Sequence, residues 1–193
     1  YDIKEVFYLD TELTLNTATA AGEMESTQLD LSAYIDPIAR GKQKGTGLAI
    51  YKVHYSISAT SEGFRPIGIA ESGVIRGGLI AGAGLGTQTG ATFTGTANSP
   101  TANNPLCVMG FDWYGPDAYT GITAAPGVPN PMNGVFVEPS EKVPYVIVRD
   151  NVCAVSIAGV AMQSLSYISF RLECAQIKLD QATLNQLLRT QTV

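Results

Sequence analysis

The stretch LAIYKVHYSIS, residues 48–58, decides the fold class because its apolar and polar residues alternate. A strand places successive side chains on opposite faces of a sheet. This alternation predicts an apolar face made of Ala49, Tyr51, Val53, Tyr55 and Ile57. The opposite face is predicted to carry Ile50, Lys52, His54, Ser56 and Ser58. One buried face and one largely polar face are typical of an antiparallel sheet.

Similar strand-like runs follow one another along most of the chain. They are rich in β-branched and aromatic residues and are bounded by Gly, Pro, Asn and Asp. The clearest lie at residues 5–10, 12–16, 26–36, 106–115 and 164–179. Eight to ten strands without a repeating βαβ rhythm predict an all-β fold. We expect an antiparallel β-sandwich of the jelly-roll type, with long loops between its strands.

The C-terminal residues carry the one helical pattern. Asp180 is a suitable N-cap, and Leu184, Leu187 and Leu188 then recur at helical spacing. The pattern predicts a short helix over residues 181–189. The expected organisation is a single jelly-roll domain at residues 1–179, followed by a helix and tail at residues 180–193.

Charge is scarce along the 193 residues. Only 15% of them are charged, and the formal net charge is −5. A surface that coats nucleic acid needs clustered Lys and Arg, so we expect no direct nucleic-acid contact. No apolar run is long enough for a membrane-spanning helix, although contact with a membrane surface stays open. A surface this poor in charge favours coverage by other subunits.

Residues for catalysis or metal binding are few. His54 is the single histidine, and no nucleophile motif accompanies it. Cys107, Cys153 and Cys174 lie in strand-like runs, which favours three buried thiols, with one disulfide plus one free thiol as the alternative. Asp112 and Asp117 could form a weak cation site, but turn formation is the favoured explanation of both residues. We expect no enzyme activity, no cofactor and no metal.

The longest uncharged stretch is GGLIAGAGLGTQTGATFTGTANSPTANNP, residues 77–105. Its glycines fit neither phosphate-binding pattern, because Thr87 stands where the dinucleotide motif needs glycine and no Gly-Lys-Ser/Thr follows. Loops this long are usually functional or disordered. We expect a small-residue surface that packs against another copy, with a charge at Ala83 or Gly84 impairing assembly more than folding.

Contacts between copies are predicted for residues 77–105, 116–134 and 180–193. The side chains assigned to them are Leu79, Ile80, Leu85, Phe93, Trp113, Tyr114, Leu184, Leu187 and Leu188. Trp113 fits a core position equally well.

The segment DLSAYIDPIARGKQKGTGLAIYKVHYSIS, residues 30–58, resembles the early region of single-jelly-roll virus capsid proteins. The long loops rich in Gly, Thr and Pro and the long final strand are also similar to that family. The resemblance implies a capsid protein of a virion that assembles with copies of itself and with other virion proteins. Two features depart from the family pattern: a basic N-terminal arm is absent from this sequence, and the C-terminal helix is an addition.

Two other functions remain open. A pilus or surface-filament subunit, located at the cell surface, would exchange a strand between copies, with residues 3–9 as the donor strand. A carbohydrate-binding module would stack Trp113, Tyr114 and Tyr119 on sugar rings beside Asp112 and Asp117.

Overall fold

The computed structural model describes residues 6–36, 44–59, 74–82, 88–92, 99–114, 134–159, 161–162 and 164–191. Within them the chain forms ten strands and one helix. The strands are β1 (Phe7–Leu15), β2 (Glu23–Asp30), β3 (Lys44–Ala59), β4 (Val74–Ala81), β5 (Gln88–Thr92), β6 (Cys107–Tyr114), β7 (Gly134–Val137), β8 (Tyr145–Ile147), β9 (Asn151–Ala158) and β10 (Ser166–Asp180). The helix is α1 (Gln181–Thr190).

The strands make two antiparallel sheets. The four-stranded sheet has the order β1-β10-β3-β8, and the six-stranded sheet has the order β5-β2-β9-β4-β6-β7. The pairing is nested, because β1 pairs with β10, β2 with β9, β3 with β8 and β4 with β6. A long antiparallel ribbon rolled up on itself gives this order, which is that of a jelly roll. The predicted all-β sandwich is therefore confirmed, with β5 and β7 added at the edges of the second sheet.

The space between the two sheets is filled by apolar side chains. Phe111 on β6 is fully buried and stacks on Tyr55 of β3, with ring centroids 4.2 Å apart. The ring of Phe170 on β10 lies 6.2 Å from that of Phe111. Alternating residues of β1 and β10, such as Leu13 and Leu172, complete the interior. The sandwich is therefore held by packing between its sheets.

The expected face assignment of residues 48–58 is wrong over its first half. The register of β3 against β10 shifts where Glu173 pairs with Lys52 and Cys174 pairs with Ile50, which leaves Tyr51 as an extra residue. An extra residue reverses the alternation on one side of a bulge. Ile50 therefore packs in the interior, while Ala49 and Tyr51 lie in a separate cluster with α1.

The uncharged stretch is not one loop between strands. Its first five residues belong to β4, which lies between β9 and β6 near the middle of the six-stranded sheet, and residues 88–92 form β5. The glycines and other small residues of this stretch had suggested that it forms a loop. In β4 they instead allow neighbouring groups to approach closely: a Cβ atom on Gly77 would lie 2.7 Å from the Phe111 ring.

Candidate functional site

Helix α1 covers half of the outward side of the four-stranded sheet. Asp180 caps the helix by accepting a hydrogen bond from the Thr183 backbone N–H at 2.7 Å, as predicted. Leu184 is fully buried in a cluster with Ala49 and Ile177. Leu187 and Leu188 are half-buried against the same cluster, which also contains Val148 and Leu179. The apolar face of α1 is thus used largely by the chain itself.

Gln191, directly after α1, closes the free edge of β8. Its side-chain oxygen accepts a hydrogen bond from the Val148 N–H at 3.1 Å, and its amide nitrogen donates to the Val146 carbonyl at 2.7 Å. Its own carbonyl accepts from Nε of Arg149 at 3.0 Å. A neighbouring strand would use the same two backbone groups of β8. An open strand edge invites pairing with other chains, and here one side chain occupies it.

Replacing Gln191 by alanine should lower the free energy of unfolding by about 1–3 kcal/mol, because two backbone groups lose their partners. It should also raise the tendency to aggregate, since the β8 edge becomes open. Urea unfolding and light scattering measure the two effects. Gln186→Ala is the matched control, because Gln186 is exposed on the same helix. Equal behaviour of the two variants would show that the Gln191 contacts do not matter.

The end of the uncharged stretch, residues 99–105, and the following Leu106 pack on part of the outward side of the six-stranded sheet. Asn104 is buried and shapes this segment: its amide nitrogen donates to the Ser99 carbonyl at 2.9 Å, and its side-chain oxygen accepts from the Leu106 N–H at 3.0 Å. Leu106 packs with Ile80 and Cys153 in an outer apolar cluster. This part of the stretch therefore packs against its own sheet.

The structure separates the residues predicted to contact other copies. Leu79 is fully buried between the sheets, and Ile80 is fully buried in the outer cluster, so neither side chain offers surface to a partner. The Leu184 side chain of α1 is also fully buried, so it offers no surface to a partner either. Trp113 is partly buried against the interior, and Tyr114 ends β6.

Other residues named for these contacts lie outside the described residues. They are Leu85, Phe93, Ala83 and Gly84, with the segment at residues 116–133. Tyr119 of the sugar-stacking alternative and Asp117 of the cation site also lie outside the described residues. Of the residues predicted to contact other copies, Leu187 and Leu188 are described, partly exposed and on the outside of the sandwich.

The other half of the outward side of the four-stranded sheet is an open polar surface. Its side chains form cross-strand rows in which Asp10, Arg171 and His54 are neighbours, followed by Glu12, Ser169 and Ser56. Glu173 lies in the adjoining row between Tyr8 and Lys52. All of these side chains except Lys52 line an open groove of about 810 Å³, which we call the outer groove.

Ion pairs and hydrogen bonds link the three strands across the outer groove. Nε of Arg171 lies 2.8 Å from Oδ1 of Asp10, and the hydrogen bond and charge of this carboxylate raise the pKa of the guanidinium. Nε2 of His54 lies 2.7 Å from Oε1 of Glu173. The Ser169 hydroxyl donates to Glu12 at 3.0 Å. Alternation within residues 48–58 predicts that His54 lies on a polar face, and alternation within residues 164–179 predicts the same for Ser169, Arg171 and Glu173. Only the strand register shows that these side chains meet.

The proposed weak cation site is not supported at Asp112. Both carboxylate oxygens of Asp112 accept hydrogen bonds from Arg76, from Nε at 2.6 Å and from Nη2 at 2.7 Å. The Arg76 guanidinium also lies over the Phe136 ring, 5.0 Å from its centroid. A paired carboxylate is a poor ligand for a cation. Within the described part of the chain, no group of three or more His, Cys, Asp or Glu side chains could hold a metal ion.

His54 has no nucleophile beside it. Its partner is the Glu173 carboxylate, and no hydroxyl or thiol of the described residues is hydrogen-bonded to the ring. A catalytic triad needs a nucleophile within hydrogen-bond reach of the imidazole. Of the residues described, none forms a helix with the length and apolar character to cross a bilayer.

All three cysteines are free and buried, which confirms the first of the two thiol predictions. Burial raises the pKa of the Cys107 thiol from 9.0 to about 11, and that of Cys174 to about 12. Only the thiolate reacts readily. We therefore expect iodoacetamide at pH 8 to leave the native thiols unmodified and to label all three in guanidinium. Fast labelling of native Cys107 would contradict its burial.

The raised pKa of Cys107 also predicts a loss of stability at alkaline pH. The thiol ionises near pH 9 in the unfolded chain and near 11 in the folded one, so the unfolded chain binds fewer protons between these values and is favoured as the pH rises. Urea unfolding at pH 8, 9 and 10 should show this decline. Cys107→Ala should show a shallower one, and an unchanged slope would count against the effect.

No protein family model matches the chain, and no curated protein matches it in sequence. Solved structures do match it, among them a mutant of the unassembled VP1 pentamer of Washington University polyomavirus. The match covers 89% of this chain and 95% of that one, with 9% identity and a TM-score of 0.39. At this identity and TM-score the likeness carries no argument.

Proposed function

We propose that the chain is a structural subunit of a virion and assembles with copies of itself into a closed shell. The observation that carries this proposal is the nested strand order of a jelly roll whose interior is filled. Jelly rolls occur in viral capsid proteins, lectins and cupins. A binding role between the sheets needs a cavity, whereas here Leu13, Phe111 and Phe170 occupy that space. The surfaces of the sandwich are left to carry the function.

The composition supports the same proposal. A chain with 15% charged residues exposes little charge for its size, and interfaces between copies are depleted in charged residues. The described residues hold no histidine–nucleophile pair and no metal-binding cluster, which makes association a better-supported mechanism than catalysis. Contacts through Leu85, Phe93, Leu187 and Leu188 are part of this proposal. Its location is the virion.

Electron microscopy and light scattering of the purified chain test the proposal. Closed particles of uniform size are the expected result, because identical copies with closed symmetry form finite shells. Fibres would support the filament subunit instead, and a monomer at all micromolar concentrations would contradict both.

The uncharged stretch provides a sharper test. Gly84→Asp should reduce the yield of particles while leaving the melting temperature nearly unchanged, since it places a charge on a surface proposed to be covered. Ala33→Asp is the matched control, because Ala33 is exposed in a turn far along the chain from that stretch. Particle yields that are equal for the two variants would remove residues 83–87 from the proposed contacts.

A further inference from the structure

We propose that the outer groove binds a neutral oligosaccharide. The groove is separate from the space between the sheets, and it lies on the half of the four-stranded sheet that α1 leaves open. It is also separate from the platform that the sequence suggested, since Trp113 packs against the interior. This inference does not depend on the proposed shell.

The dimensions of the groove suit a short sugar chain. The groove is a shallow, open depression of about 810 Å³ on the sheet surface and not an enclosed pocket. The outward side chains of β1 from Tyr8 to Glu12 extend over about 14 Å, at about 3.4 Å per residue. Strands β1, β10 and β3 form the floor of the groove, and the groove is open to solvent. An extended di- or trisaccharide fits such a shape better than a compact ligand does.

The groove offers both acceptors and donors in adjacent positions. Asp10 and Glu12 are exposed carboxylates, which only accept hydrogen bonds. Arg171 uses its Nε on Asp10, so that its terminal nitrogens can donate further. Each sugar hydroxyl can donate and accept at once, and neighbouring hydroxyls present both functions side by side. Asp10 and Arg171 lie in one row and Glu12 lies in the next, so acceptors and donors stand side by side as a polyhydroxylated ligand requires.

Tyr8 supplies an aromatic ring at one end of the groove. It is one of the large apolar side chains that remain exposed, at 59%. The Arg171 guanidinium lies over its ring, 5.7 Å from the centroid, which limits the positions of both side chains. The C–H face of a sugar ring packs on such an aromatic surface while its hydroxyls stay at the edges. The exposed ring of Tyr8 lies beside polar groups and is thus placed to orient a sugar.

The charges in the groove disfavour an anionic ligand. Three carboxylates, Asp10, Glu12 and Glu173, line the groove together with Arg171, and His54 adds a positive charge only when protonated. The balance disfavours sialylated or sulfated glycans and nucleic acid, because like charges repel at short range. The outward side chains also include no aliphatic anchor of the kind that peptide grooves need.

Binding is tested with the full chain on an array that carries neutral and acidic glycans, followed by titration with each neutral glycan that is retained. The titration extends to millimolar glycan concentrations, so that weak binding by a single chain is detectable. Glu12→Gln should weaken binding about tenfold, because a hydrogen bond to a charged acceptor is lost. Tyr8→Ala should weaken it by a similar factor, and Tyr8→Phe should retain it.

Glu138→Gln is the matched control, since Glu138 is an exposed carboxylate just beyond β7 on the other sheet. Circular dichroism shows whether each variant is folded. Retention of acidic glycans alone, or of no glycan at all, would overturn the proposal. Equal weakening by Glu12→Gln and Glu138→Gln would also overturn it. Particle formation, read separately by electron microscopy, reports on the shell and not on the groove.

Discussion

Phe111→Ala should lower the free energy of unfolding by about 3–5 kcal/mol, which is the usual cost of removing a buried aromatic ring. Phe111 is fully buried and lies between Tyr55 of one sheet and Gly77 of the other. Its loss leaves a cavity in the middle of the sandwich, where neither sheet can move in without disturbing its own pairing. Urea unfolding followed by fluorescence and circular dichroism measures the change.

Val143→Ala is the control for this experiment, because Val143 is 73% exposed. Surface substitutions of this kind usually change stability by less than about 0.5 kcal/mol. A small effect of Phe111→Ala would mean that the two sheets are not packed through this ring. The face-to-face arrangement of the sandwich would then have to be revised.

Gly78→Ala should destabilise the chain by about 1–3 kcal/mol, the typical cost of overpacking. A Cβ atom at this position would meet the Met109 carbonyl oxygen, and it would lie 3.0 Å from Cβ of Pro100 and 3.1 Å from Cα of Gly110. Two of these three atoms belong to the backbone of β6, so no side-chain rotation can relieve the contact. The covering segment at residues 99–106 should loosen as well, which hydrogen exchange at Leu106 can detect.

Gly134→Ala provides the matched comparison, since a Cβ atom at Gly134 has nothing within 4 Å. We expect it to be neutral or slightly stabilising, because alanine restricts the unfolded chain. If both alanine variants were equally stable, the close approach of Gly78 to the β6 backbone and to Pro100 would be ruled out. The small residues of the uncharged stretch would then again be free for contacts with other copies.

Alternation and capping were enough to predict the sandwich and its helix. Val53 and Tyr55 point to the interior as their spacing indicates, and Asp180 caps α1. These features depend on residues close together in sequence, which is why a pattern reveals them. The outward placement of His54 and Arg171 followed from the same alternation.

The remaining features depend on which strands become neighbours. The bulge at Tyr51 reverses a face, although no residue type in that stretch marks it. Leu79 and Ile80 are followed by small residues typical of loops, yet β9 and β6 pair with β4 on both sides and make it a buried strand. The pairing of Arg171 with Asp10 joins residues 161 positions apart. A pattern within one segment gives no information about which distant segment that segment pairs with.

The pairing of β1 with β10 also sets the timing of folding. β10 is made after the other nine described strands, and it is the neighbour of both β1 and β3 in the four-stranded sheet. β1 and β3 must therefore remain without this partner until β10 has been made. Long-range pairing of this kind slows folding and leaves nascent strands exposed to wrong contacts. A chain interrupted before residue 166 cannot complete the four-stranded sheet.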